Sequence, residues 1–102
     1  EVPPGVSPKY LVANVGDAAR PAALALAAKL RRAGVGAILS SGPRALRGQM
    51  RQANALNIPF ALILGDDEIK DGVVMVRDMN SSSQEIRPLQ EFLDEVANSP
   101  DH

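Results

Sequence analysis

The segment Pro59-Phe60-Ala61-Leu62-Ile63-Leu64-Gly65 constrains the fold more than any other part of the chain. Its apolar run is unbroken and bounded by a proline and a glycine, which reads as a strand. Alternating polarity would mark a strand with one wet face. A continuous run marks a strand covered on both faces, as in sheets with helices packed on either side.

The rest of the chain supplies those layers. Residues 1–8 hold three prolines and a glycine and read as an extended lead-in, a linker from a separate domain. Lys9 to Asn14 reads as a first buried strand, and Gly16-Asp17 as a turn and helix start. Ala18 to Ala33 is rich in strong helix formers, with Ala23, Leu26, Ala27 and Leu30 as its buried stripe and Pro21 in the first turn. Gly34 closes it. Gly36 to Ser40 reads as a second strand and Pro43 to Ala55 as a second helix with Leu46, Met50 and Ala53 inward. Val73 to Asp78 and Gln84 to Arg87 follow as strands, separated from Leu64 by a polar turn at 65–72, with room for one helical turn inside it, and from each other by the loop Asn80–Ser83. A last helix starts at Pro88, with Leu89, Phe92, Leu93 and Val96 inward, and 98–102 is a flexible tail.

Strands alternating with helices imply right-handed parallel crossovers, but the 65–72 turn is too short for one. The strand after it therefore runs antiparallel. The expectation is an α/β fold: a three-layer α/β/α domain at 9–97, with a mixed five-stranded sheet (three parallel strands plus an antiparallel strand) and three helices.

Composition narrows the function. The 102 residues suit one domain and can bury a core without staples. There is no cysteine, which excludes disulfide and thiolate chemistry and fits a reducing, cytoplasmic setting. No apolar run is long enough to span a membrane. The formal net charge of −1 and pI near 5.7 count against a general nucleic-acid binder, so RNA recognition must rest on local patches.

Catalytic constellations are scarce. The one histidine, His102, is the last residue, which leaves no base for a serine or cysteine pair. No Gly-rich Lys-Ser/Thr phosphate loop is present, and Gly34-Val35-Gly36 ends a helix where a dinucleotide motif would open one. Asp66-Asp67-Glu68 is the best metal candidate, but adjacent side chains in a turn seldom converge, and a solvated, helix-capping turn is the plainer reading. An aspartate-phosphorylation receiver would need acids at the ends of the first and third strands, where Asn14 and Leu64-Gly65 stand instead.

Ligands of open α/β sheets sit outside the carboxyl ends of the parallel strands. The loops Asn14–Asp17, Ser40–Arg44 and Gly65–Asp71 should line that edge and offer groups able to bond splayed bases. Arg44, Arg47 and Arg51 recur at helical spacing on one face, where they can neutralise phosphates or simply be solvated. Arg31 and Arg32 end the first helix and read as structural. Tyr10, Phe60 and Phe92 fall at core-like positions, so no stacking platform is evident. From the residues alone the chain is a small α/β binding module.

The stretch from Gly42 to Asp78 resembles the anticodon-binding domain of class II aminoacyl-tRNA synthetases, most closely the C-terminal domain of the histidine enzyme. The helix Gly42-Pro43-Arg44-Ala45-Leu46-Arg47-Gly48-Gln49-Met50-Arg51-Gln52-Ala53, the strand and turn Ile58 to Glu68, and the strand Asp71 to Asp78 carry it in register, with a fit over roughly 9–97. The resemblance implies a domain that docks on the anticodon stem-loop of histidine tRNA, whose anticodon is GUG. By the same resemblance Glu68 and Arg77 match positions that contact anticodon bases in the threonine and proline enzymes, with Asp67 beside them. Pro43 replaces an asparagine that contacts RNA in the threonine enzyme. ATP, magnesium and the ligase chemistry would belong to a catalytic domain outside these residues, in a homodimeric parent. This chain alone would be no enzyme and need no cofactor. A synthetase-like domain reused for regulation or protein contact is the alternative.

Overall fold

The computed structural model describes residues 8–40 and 45–98. The expected lead-in, most of the tail and the Ser41–Arg44 loop with Pro43 lie outside the described residues.

Five strands, β1 (Tyr10–Asn14), β2 (Ala37–Leu39), β3 (Phe60–Leu64), β4 (Val73–Asp78) and β5 (Ser83–Pro88), form one sheet in the order β2-β1-β3-β4-β5. The first three are parallel, and β4 and β5 reverse in turn. β3 lies between a parallel and an antiparallel neighbour and is covered on both faces, Leu62 and Leu64 toward α1 and α4 and Ile63 toward α2, which is why its sequence is apolar throughout. The helices are α1 (Arg20–Arg32), preceded by a 3-10 turn at Asp17–Ala19, α2 (Leu46–Ala55), α3 (Asp66–Asp71) and α4 (Leu89–Ala97).

Strand parity sorts the core into two layers. Tyr10, Val12, Leu62, Leu64 and Val74 pack under α1 and α4 with Leu26, Leu30, Phe92 and Val96. Leu11, Ala13 and Ile63 point the other way and pack with Ala53 of α2 and Ile58, flanked by Leu46, Met50 and Met75. Tyr10 anchors the aromatic end of the larger layer, edge-on to Phe92 and tilted against Phe60, both at 5.7 Å. The expected inward stripes of α1 and α4 are those observed; on α2 Leu46, Met50 and Ala53 face the core as expected, joined by Gln49, which is fully buried and was not expected there.

The acidic stretch after β3 forms a fourth, short helix of six residues within the polar turn, beside the three larger helices that were expected. Its N-terminus is closed by the Glu68 carboxylate, whose Oε1 accepts from the Gly65 N–H at 2.8 Å. Its C-terminus is closed by Gly72 at φ 69°, a left-handed conformation that glycine adopts without a Cβ penalty. Three acids in the first turn favour the helix dipole. The loop before β5 is one residue shorter than expected, because Ser83 already pairs with Asp78.

Outside the core, α4 is tied to β5 by a bidentate pair: Arg87 Nη2 donates to Glu95 Oε2 at 2.7 Å and Nη1 to Oε1 at 2.9 Å. The Arg87 guanidinium holds the Glu95 carboxyl below the usual carboxylate range. The folded state thus binds that proton less readily than the unfolded chain. The pair's contribution is present above the ordinary glutamate range and is lost as pH falls through the depressed value. An NMR titration of the side-chain carboxyl carbons is expected to place Glu95 below the ordinary range, and Arg87→Met to bring it back. Leu62, with no exposed area at the centre of the sheet, is the reference for the core. Leu62→Ala is expected to cost about 2–5 kcal/mol in urea unfolding.

Candidate RNA-binding surface

The carboxyl edge of the parallel strands is where a ligand would be sought first. There α2 inserts Gln49, a fully buried amide, between the ends of β1 and β2. Gln49 Oε1 accepts from the Asn14 N–H at 3.0 Å and from the Ser40 hydroxyl at 2.5 Å, while its Nε2 donates to the Asn14 carbonyl at 2.6 Å. The side chain thereby does for Asn14 what a neighbouring strand would do. Arg20 closes the group from α1, with Nη1 donating to the Ser40 carbonyl at 2.8 Å and to Asn14 Oδ1 at 3.3 Å. Asn14 Nδ2 donates to the Gly16 carbonyl, and the Val15 N–H to the Leu64 carbonyl, both at 2.8 Å.

The described polar groups of this edge are therefore bonded mainly to one another. Asn14 and Gly65, both expected to be available to a ligand, are buried; only the Val15–Asp17 turn and the exposed acids of α3 look outward. Gln49 was visible in the sequence only as a polar residue of a motif. Its burial depends on the gap between two strand ends, which no periodicity reports.

The expected RNA contacts fall on three parts of the surface. Arg47 and Arg51 are exposed on α2, and Arg44 lies outside the described residues. Asp67 is exposed on α3, and Glu68 is half-buried, with one oxygen engaged by Gly65. Glu68 borders the groove lined by Ala22, Leu26 and Lys29 of α1, on the α1–α4 side of the sheet. Arg77 is half-buried and pairs with Ala61 and Gln84, which places it on the α2 side. From Ala61 to the end of β3 is roughly 10 Å at strand rise. Glu68 and Arg77 thus stand at different ends and on different faces of the sheet, and the fold does not bring them together. Arg77 Nη1 donates to Gln84 Oε1 at 3.0 Å, and its Nε is buried without a hydrogen-bond partner among the described residues.

The two faces differ in cover. α2 packs over β1 and β3, leaving β4 and β5 on that side half-exposed or exposed, with Ile86 at 61%. A right-handed crossover from β2 to β3 turns one flank of α2 toward this uncovered half. Gln49 on one flank reaches Ser40 at the end of β2, and Asn54 on the other borders Met79 and Asn80 at the end of β4. Arg47, Arg51 and Asn54 share that second flank by helical spacing. α2 contains no acid, nor do the residues that β4 and β5 present on this side: Val73, Met75, Arg77, Gln84, Ile86 and Pro88. The acids Glu85, Glu91, Asp94 and Glu95 belong to the alternate positions of β5 and to α4. Among the described residues no group of three or more carboxylate, histidine or cysteine side chains is placed to hold a metal ion.

Architecture and surface together define an α/β binding domain. A family profile described as "Anticodon binding domain" matches residues 9–99. Curated relatives include histidine–tRNA ligases of Dehalococcoides mccartyi, 38% identical over 92% of this chain and 22% of the relative, and of Symbiobacterium thermophilum, 40% identical over 80% of this chain and 19% of the relative. Among solved structures, the apo histidyl-tRNA synthetase of S. aureus superposes with a TM-score of 0.82 at 26% identity, covering 96% of this chain and 25% of that one. The RNA-binding domain of threonyl-tRNA synthetase from Cryptosporidium parvum shares the fold, with a TM-score of 0.80 at 18% identity, covering 88% and 23%. The chain belongs to the anticodon-binding domain family, and it is homologous to the C-terminal domains of histidyl-tRNA synthetases. It spans about a fifth of the length of the curated relatives it matches.

The Gln49 clamp makes a direct prediction. Gln49→Ala strands the Asn14 peptide groups and the Ser40 hydroxyl in a buried site and is expected to destabilise the fold by roughly 1–3 kcal/mol. A lowered urea midpoint at unchanged slope is the expected observation.

Proposed function

We propose that this domain binds the anticodon stem and loop of histidine tRNA and supplies affinity and selectivity to a histidine–tRNA ligase whose catalytic body carries ATP and magnesium. The carrying observation is the similarity, at 36–40% identity across most of the chain, to ligases of that one amino acid. The acid-free arginine flank of α2 gives the reading a physical basis: a phosphate backbone is attracted there although the chain as a whole is slightly acidic.

In this reading Arg47 and Arg51, extended by Arg44, neutralise phosphates of the loop. Arg77 works on the uncovered half of the sheet. Asp67 and Glu68 meet the RNA at the rim formed by α3, Glu68 with the carboxylate oxygen that Gly65 leaves free. The parent enzyme is a homodimer in the cytoplasm, where its tRNA is found, and DNA is not a ligand. No described helix is long and apolar enough to cross a membrane.

Binding is tested with a histidine-tRNA anticodon hairpin and hairpins with altered anticodon bases, by fluorescence anisotropy across a salt series. Preference for the native anticodon is expected. Its absence, with or without residual salt-sensitive binding, refutes the reading. Arg47→Ala and Arg51→Ala are each expected to weaken all hairpins alike and to lower the slope of log affinity against log salt by about 1.

A further inference from the structure

The sheet has two edges, and the fold closes one and leaves the other open. At the β2 edge, Gly36 and Ser40 bond to β1, so Ala37 and Leu39 turn their peptide groups outward. That edge is three residues long, and its Ala37 carbonyl accepts from Arg31 Nε at 2.8 Å. The β5 edge is six residues long and exposed except at Arg87, which is half-buried. The Leu89 N–H donates to the Gly72 carbonyl at 2.9 Å, one step beyond the Val73–Pro88 pair. Bonded pairs alternate in an antiparallel ladder, so Ser83, Glu85 and Arg87 bond to β4. Gln84 and Ile86 therefore turn both their N–H and carbonyl outward, and Pro88 its carbonyl, and no described residue bonds to these groups. The side chains beside the edge differ between its faces. On the α2 side stand Gln84, Ile86 and Pro88, all uncharged, with Ile86 61% exposed. On the α4 side the carboxylates gather round one guanidinium: the Glu95 pair, with Glu85 and Glu91 nearby, raises the Arg87 pKa above its ordinary value. Lys9, which lines the same pocket as Glu85 and Glu95, lies over the Tyr10 ring at 5.7 Å. Carboxylates thus outnumber cations along this side.

We propose that the β5 edge is a strand-addition site for an extended basic segment of another protein, which pairs with the outward peptide groups of Gln84, Ile86 and Pro88, lays apolar side chains beside Ile86 and sets a lysine or arginine against Glu85. An unpaired edge is a template for a further strand, and its main-chain bonds give affinity whatever the sequence. Selectivity comes from the alternating side chains. In an antiparallel addition, the residues opposite Gln84 and Ile86 exchange both main-chain bonds, and their side chains fall on the α2 side. The residue between them falls opposite Glu85, on the acidic side, where an opposite charge is favoured and a like charge is not. The fitting segment is therefore apolar, basic, apolar at successive positions. The excess of carboxylates selects this occupant. A second copy would bring a second set of Glu85, Glu91 and Glu95 to the same seam, and an RNA strand would meet the same acids. The inference does not rest on the anticodon reading, since a domain blind to the anticodon would offer the same edge.

The probe is the acetylated peptide amide Val-Thr-Val-Lys-Val-Lys carrying fluorescein at one end, titrated with this chain and read by anisotropy at low salt. Saturable binding is expected. N-methylation of the valines, whose N–H groups face the edge, is expected to weaken it roughly tenfold or more. N-methylation of the threonine and lysines, whose N–H groups face away, is expected to leave it within about twofold. Glu85→Lys is expected to weaken the lysine peptide several-fold, and a peptide with glutamates in place of the lysines is expected to prefer Glu85→Lys to the wild type. Glu85 is exposed, and a thermal melt checks that the variant remains folded. Hydrogen exchange at the Gln84 and Ile86 amides is expected to slow when the peptide is bound. Absence of saturable binding overturns the proposal. So does binding that survives N-methylation of the valines, which would be charge attraction without strand pairing. A dimer of the chain alone in sedimentation, with the same two amides protected, assigns the edge to a second copy and overturns it too. None of these outcomes bears on anticodon preference, which the hairpin titrations measure separately.

Discussion

The arrangement of this domain depends on the amide of Gln49. Three parallel strands end side by side, and where their pairing stops each leaves peptide groups that water cannot reach. Gln49 meets both peptide groups of Asn14 and also accepts from Ser40, so one side chain from α2 fixes the ends of β1 and β2 at once. Arg20 adds a bond from the opposite layer. A buried polar group is tolerable only when its bonds are complete, and a complete network also sets a unique register between the elements that contribute to it. The height and rotation of α2 on the sheet are set here, and with them the direction in which Arg47 and Arg51 point.

The second organising constraint is the reversal of the chain at α3. With only six residues available, the helix cannot carry the chain back for another parallel crossover, so β4 returns antiparallel and β5 follows as a hairpin. No crossover helix then exists to cover β4 and β5 on the α2 side, while α4 packs on the other. The domain has three layers over β1 and β3 and a thinner cover at β5. An uncovered sheet half is thus a consequence of topology, and its polar character is written into alternate residues of β4 and β5.

Much of this was legible from the residues. The apolar run of β3, the inward stripes of α1 and α4, the antiparallel sense of β4 and the aromatic cluster all follow from period, length and turn chemistry. The short-range rules left α3 open, because a six-residue acidic stretch carries too little periodicity to distinguish a turn from a helix, although the capping acid they expected is there in Glu68 reaching back to Gly65. They failed at Gln49, whose role lies in a gap between two strand ends distant in sequence. The separation of Glu68 and Arg77 is a matter of strand parity and register. Pairing of Arg77 with Ala61 assigns it to the α2 layer, whereas Glu68 borders α1, and a spacing along the chain does not distinguish the two.

The absence of acids on the α2 flank has a consequence for encounter in solution. A net charge near zero exerts little force at long range, and the basic residues of α1 stand on the same side of the sheet as the carboxylates of α4 and β5. Arg47 and Arg51 have no carboxylate on their own helix, so the attraction they exert on an RNA backbone is a local one. It acts within about a Debye length of contact, roughly 8–10 Å at physiological salt.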